Sequence, residues 1–169
     1  MILRSAPLTK AAFVPFGDVI EARGARRFEI NDGMCARFHD LATLDLTEAG
    51  GRPLVSLFRS RAWTPPFALR LLERHPLSSQ AFFPLGSEPF LVVVAPPGET
   101  PRAESVRAFR TDGRQGVNLR RGVWHHPLIA LAEGAEFLVI DRGAEGETGD
   151  GNCDIYRLDH LPEPLVVEG

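Results

Sequence analysis

Glu73-Arg74-His75 and His125-His126 are the stretches of this chain whose residue types could move protons or hold a metal ion. A carboxylate and an imidazole two residues apart project from one face of an extended strand. That spacing suits two ligands of one divalent ion, or a base and the group that orients it. Gln80 follows across a turn at 76–78 and can reach the same space. His125 and His126 are adjacent, so on a strand they face opposite sides. Parity groups His125 with Val123, and His126 with Trp124 and Leu128, and leaves open which set is inside. Pro127 is expected to end regular pairing there.

Each of these residues has a plainer role to set against chemistry. A lone histidine on an apolar strand is more often a hydrogen-bonded core residue than a ligand, and Glu73 could pair with Arg70 or Arg74. Arg59, read as buried, either grips a substrate carboxylate with two parallel hydrogen bonds or sits in a salt bridge at a rim. Asn31-Asp32 is most simply a turn, with hydrogen bonding to a small polar ligand as the alternative. Asp141-Arg142-Gly143 reads as a strand end entering a loop, and Trp63 and Trp124 as packing or interface anchors.

Positioning such groups takes a scaffold of short strands. Thr9 is expected to cap a helix through Phe13, its hydroxyl accepting from a free first-turn N–H, and Pro15 to stop it. Strands are expected at 16–22, 28–32, 36–42, 53–61, 67–76, 79–85, 89–95, 106–113, 117–131, 136–143 and 153–158. Asn31-Asp32-Gly33 reads as a turn, 79–85 and 89–95 as a hairpin about Gly86, and Val55, Leu57 and Arg59 as one face. Leu69, Leu71, Glu73 and His75 share a parity. The Gly-rich polar stretch 142–152 reads as a mobile loop, and the tail from Pro162 has no clear assignment.

With 16 glycines and 14 prolines among 169 residues, the chain must reverse often, which points to a sandwich or small barrel. No repeat or linker divides it, so a single domain over 1–169 is the simplest account. A net charge of −3 with both signs scattered gives no basic patch for nucleic acid. The apolar runs 90–97 and 137–140 are far too short to span a membrane. The first ten residues lack a signal-peptide pattern, and Cys35 and Cys153 have no metal-type spacing, so a reduced, cytoplasmic setting is expected.

The blocks FHDLA (38–42), RPLVSLFR (52–59), LERHPLSSQAFFPL (72–85), FLVVVAPPG (90–98), RAFRTDGRQGVN (107–118), GVWHHPL (122–128) and FLVIDRG (137–143) resemble the ureidoglycolate lyase family. The resemblance runs from about Pro7 to Asp154, with the blocks in order. It implies a mainly β fold, a cupin-like antiparallel β-barrel with a few short helices, and a homodimer. It implies cleavage of (S)-ureidoglycolate to glyoxylate and urea, a divalent metal (nickel), and no organic cofactor. Where cupins carry His-x-His, Glu and Gly, this chain has Glu73-Arg74-His75, Gln80 and Gly86. Where they carry Pro-x-Gly-x-x-His, it has Arg120 through His125, with arginine for the proline; on this alignment His125 faces inward. Leu119 stands where the family suggests tyrosine.

Strand parity and the chemistry this reaction would need together make Glu73, His75 and His125 the candidate catalytic residues. Arg59, Gln80, Asn31 and Asn118 are the candidate substrate contacts, and His75, Gln80 and His125 the candidate metal ligands. The rival reading is a non-catalytic cupin-like module that binds a small acid or regulates.

Overall fold

A strand with no polar residue, such as Phe90-Leu91-Val92-Val93-Val94-Ala95, must be covered on both faces. The structure, a computed structural model, describes residues 1–144 and 151–168. It begins β1 (Ile2–Arg4), β2 (Ala6–Pro7), α1 (Lys10–Phe13), β3 (Gly17–Ile20), β4 (Arg26–Ile30), β5 (Cys35–His39), β6 (Arg52–Ser60) and β7 (Phe67–Ala68). It continues β8 (Leu71–Arg74), β9 (Gln80–Pro84), β10 (Phe90–Ala95), β11 (Arg107–Arg110), β12 (Gly116–Leu119) and β13 (Trp124–His125). The last strands are β14 (Ile129–Ala130), β15 (Ala135–Gly143), β16 (Asp154–Arg157) and β17 (Val166–Glu168). The fold is mainly β and cupin-like, as expected, with only short helical turns.

Two sheets face each other. One runs β16-β8-β13-β10-β11-β2, with β14 also on β10; the other runs β3-β12-β9-β15-β6. Phe90, Val92 and Val94 of β10 meet Phe82, Val117, Leu119, Phe137 and Val139 of the opposite sheet in one apolar layer. The rings of Phe90 and Phe137 make an edge-on contact across it, 5.1 Å between centroids. On the other side of β10, Leu91, Val93 and Ala95 pack with Leu3, Leu69, Leu165 and Val167, beneath a third sheet, β1-β17-β7. The seven-stranded sheet is therefore the middle layer of three. The outer face of the five-stranded sheet has no such cover among the described residues: Val55 is 64% exposed and Leu57 68%.

The sequence expectations meet this architecture unevenly. Thr9 caps α1, accepting from the Ala12 N–H at 3.2 Å. Asn31 and Asp32 form the β4–β5 turn, both with positive φ, and the tail supplies β17 in parallel with β1. The hairpin expected across 79–95 does not form: β9 and β10 lie in opposite sheets, because 90–95 needs burial on both faces and only the middle layer offers it. The strand expected over 67–76 is broken between β7 and β8, so Leu69 joins Leu72 in the outer core rather than sharing a side with Leu71 and Glu73. The one expected over 117–131 divides into β12, β13 and β14. Gly122 turns the chain between β12 and β13 with φ +74°, a conformation glycine adopts without penalty. Of the loop expected at 142–152, Arg142 and Gly143 complete β15, and 145–150 lie outside the described residues.

Candidate active site

β8 and β13 pair antiparallel with Glu73 opposite His125. Cross-strand partners project from the same face. Leu72 and Trp124, their neighbours in sequence, are buried in the outer core, so Glu73 and His125 point the other way, into the space between the two facing sheets. His75 follows the end of β8, where its carbonyl accepts from the Gly122 N–H at 3.0 Å and so ties the turn before β13 to the same spot. Glu73 Oε1 lies 3.5 Å from His125 Nε2. The imidazole centroids of His75 and His125 are 5.2 Å apart. One ligand atom from each of Glu73, His75 and His125 falls within 4.8 Å of the others. The two distant stretches that could do chemistry converge.

Hydrogen bonds on the far side of each ring fix what the histidines present. His75 Nδ1 is 2.7 Å from the Asn152 carbonyl oxygen, and His125 Nδ1 is 3.0 Å from that of Val123. A carbonyl only accepts, so in both rings Nδ1 carries a proton, and in the neutral ring Nε2 keeps a lone pair. Both Nε2 atoms are buried and lack a hydrogen-bond partner among the described residues. Two imidazole lone pairs and a carboxylate around one point, each imidazole steadied by a backbone acceptor behind it, form a donor set that fits a divalent ion. The same three groups can accept a proton from a substrate hydroxyl.

The electrostatics favour an ionised Glu73. Burial pushes its carboxyl up, but His125 at 3.5 Å, with His75 and His126, outweighs burial when these rings are protonated and holds it below its ordinary value. His126 faces the other side, its ring edge-on to Trp63 with centroids 5.4 Å apart. Burial lowers its affinity for a proton, against the Pro127 carbonyl and Glu73, which favour one; His125 adds to the lowering. His126 is packing, and the paired imidazoles of 125–126 serve separate layers. Trp124 is buried under the Arg74 guanidinium, 4.6 Å from its ring centroid, and is no surface anchor.

Gln80 opens β9 on the interior face of the opposite sheet, beside Leu119 and two residues before Phe82. Its Nε2 donates to Asp141 Oδ2 at 3.4 Å, and its buried Oε1 has no protein partner among the described residues. The metal-capable group contains Glu73, which the set expected from sequence had omitted in favour of Gln80.

Three expected substrate contacts lie elsewhere. Arg59, expected to be buried, is on the open outer face, its Nη2 2.7 Å from Glu136 Oε1. Its parity with Val55 and Leu57 is as expected; that face has no cover among the described residues. Asn31 is exposed at the tip of the β4–β5 hairpin, which pairs with no other sheet among the described residues. Asn118 is buried, but it alternates with the inward Val117 and Leu119, and its Nδ2 donates outward to Asp18 Oδ2 and the Thr43 carbonyl.

Sequence reasoning passed over three residues at the site. Asn152 holds His75 from behind. Asp141 grips Gln80, although its parity with Phe137 and Val139 gave an inward signal. Cys153 places its Sγ 3.8 Å from Glu73 Oε2.

The chain matches the family described as "Ureidoglycolate lyase" over residues 1–167. A protein of Burkholderia mallei (strain NCTC 10229) named "Ureidoglycolate lyase" is 59% identical over 159 residues, 94% of this chain and 89% of the relative. Proteins with the same name from Azotobacter vinelandii and Pseudomonas entomophila are 55% and 53% identical, covering 90% and 95% of this chain and 90% and 92% of the relatives.

Proposed function

This chain belongs to the ureidoglycolate lyase family, and from that premise we propose that it cleaves (S)-ureidoglycolate to glyoxylate and urea with Glu73, His75 and His125 around the reacting carbon. The observation that carries the reading is the convergence of one carboxylate and two imidazoles, a ligand atom from each within 4.8 Å of the others, from stretches far apart in sequence.

The substrate carbon bears a hydroxyl, a carboxylate and a ureido nitrogen. The hydroxyl proton leaves, its oxygen becomes the glyoxylate carbonyl, the carbon–nitrogen bond breaks, and the departing urea nitrogen takes up a proton. The enzyme must therefore accept a proton at one point and supply one a bond or two away. Glu73 and the two Nε2 atoms are acceptors of that kind, and the group that takes the hydroxyl proton can return it to the nitrogen. Gln80 Oε1, buried and without a partner among the described residues, supplies an acceptor for a ureido N–H; meeting it with substrate removes the cost of a buried unsatisfied carbonyl, about 1–3 kcal/mol. None of these steps calls for an organic cofactor. In place of accepting that proton, Glu73, His75 and His125 would hold a divalent ion, nickel on the family resemblance, which when bound would lower the hydroxyl pKa and neutralise the developing alkoxide. Arg59, Asn31 and Asn118 are left out of the site, for the positions given above.

A single domain over 1–169, a homodimer and a cytoplasmic setting complete the proposal. The uncovered face carrying Val55 and Leu57 supports a second copy there, since large exposed apolar patches are rare on monomers. Among the described residues, no helix is long and apolar enough to cross a membrane. A coupled glyoxylate assay with ureidoglycolate, run with and without chelator, tests the reaction and the ion together. Glyoxylate release is the expected result. Release unchanged by chelator removes the ion and keeps the lyase, and binding without product favours the non-catalytic module.

A further inference from the structure

We propose that Asn152 is a positioning residue of this lyase, setting the tautomer of His75 so that its Nε2 lone pair stays on the reacting centre; this rests on the role given to His75 above. Asn152 is 1% exposed. Three of its groups grip the connection between β8 and β9. The backbone carbonyl accepts from His75 Nδ1 at 2.7 Å, Oδ1 accepts from the Leu77 N–H at 2.6 Å, and Nδ2 donates to Ser78 Oγ at 2.8 Å.

The two site histidines reach the same tautomer by different means. For His125 the fixing carbonyl is that of Val123, two residues away, and comes with the local chain. For His75 it arrives from 77 residues away, just before β16. The β8–β16 pairing, with Asp154 opposite Arg74, brings the chain at 152 alongside His75, and the Asn152 carboxamide fixes its carbonyl on Nδ1 by fastening that backbone to Leu77 and Ser78. A free histidine side chain prefers the proton on Nε2. Without the fastening, His75 drifts to that form, and Nε2 then offers a proton where the site needs a lone pair. Partners of this kind behind a ligating or catalytic histidine are typically worth about 10–100-fold in affinity or activity.

Long-range 1H–15N spectra read histidine tautomers directly. In the wild-type chain both His75 and His125 should carry Nδ1–H. In Asn152→Ala, His75 should move toward Nε2–H while His125, held by Val123, stays as it was, and kcat should fall about 10–100-fold. A general loosening of the fold would move both rings together, which would overturn the proposal, as would an unchanged His75 with wild-type kcat. Ser78→Ala removes only one of the three grips and decides the matter if Asn152→Ala does not fold: a smaller shift of His75 in the same direction is expected, and none would refute the role. A wild-type chain that releases no glyoxylate would sink the lyase reading, while the His75–His125 comparison would still test what Asn152 does.

Discussion

The two large sheets present opposite cases. The seven-stranded sheet is packed on both sides, by the apolar layer facing the five-stranded sheet and by the one beneath β1, β7 and β17. The five-stranded sheet is packed on one side and leaves Val55 and Leu57 in the open. Glu73 and His125 are on the first, Arg59 on the second. Side chains that must hold a geometry to a fraction of an ångström sit where neighbours lock the strand from above and below. The exposed face is free to meet another molecule, and a cation there finds only a surface carboxylate.

The largest effect expected of this division is chemical. Glu73→Gln and His125→Ala should each lower glyoxylate release by about 10²–10⁴-fold, the usual worth of a group that moves a proton, with the far-UV circular dichroism of the wild type retained. Wild-type turnover in either variant would remove that residue from the mechanism. Next comes packing. Leu72→Ala, fully buried in the doubly covered sheet, should cost about 2–5 kcal/mol by urea denaturation. Leu57→Ala, on the open face, should stay within about 0.5 kcal/mol when measured on dissociated chains; equal losses at the two positions would erase the contrast. Third, Val55→Asp with Leu57→Asp should shift the chain from dimer to monomer in sedimentation velocity, and a dimer that survives places the interface elsewhere. Smallest is Arg59→Ala. It breaks a surface ion pair worth no more than about 1 kcal/mol and should leave KM for ureidoglycolate unchanged; a raised KM would bring Arg59 back to the substrate.

What could be read beforehand follows from how local each signal is. The Thr9 cap, the turn at Asn31-Asp32 and the buried run 90–95 are written in adjacent residues and appear in the fold. The shared side of Glu73 and His75 follows from strand parity, and the inward side of His125 from its place in the resemblance. Parity says which residues share a face and is silent on whether anything covers it, which is why Arg59 was misplaced. The break near Leu69 and the separation of β9 from β10 are set by layers that no short window contains. Asn152 lay hidden because a glycine-rich polar stretch reads as a loop, and its partners at Leu77 and Ser78 are more than seventy residues away.

The register that sets Glu73 opposite His125 has a kinetic corollary. No peptide cut from either half of this sequence can rehearse the site, because its members come together only through pairing of high contact order, the slow kind. On refolding from urea, catalytic competence should lag behind the first strand signal, so turnover reports completion of the native topology and not its beginnings.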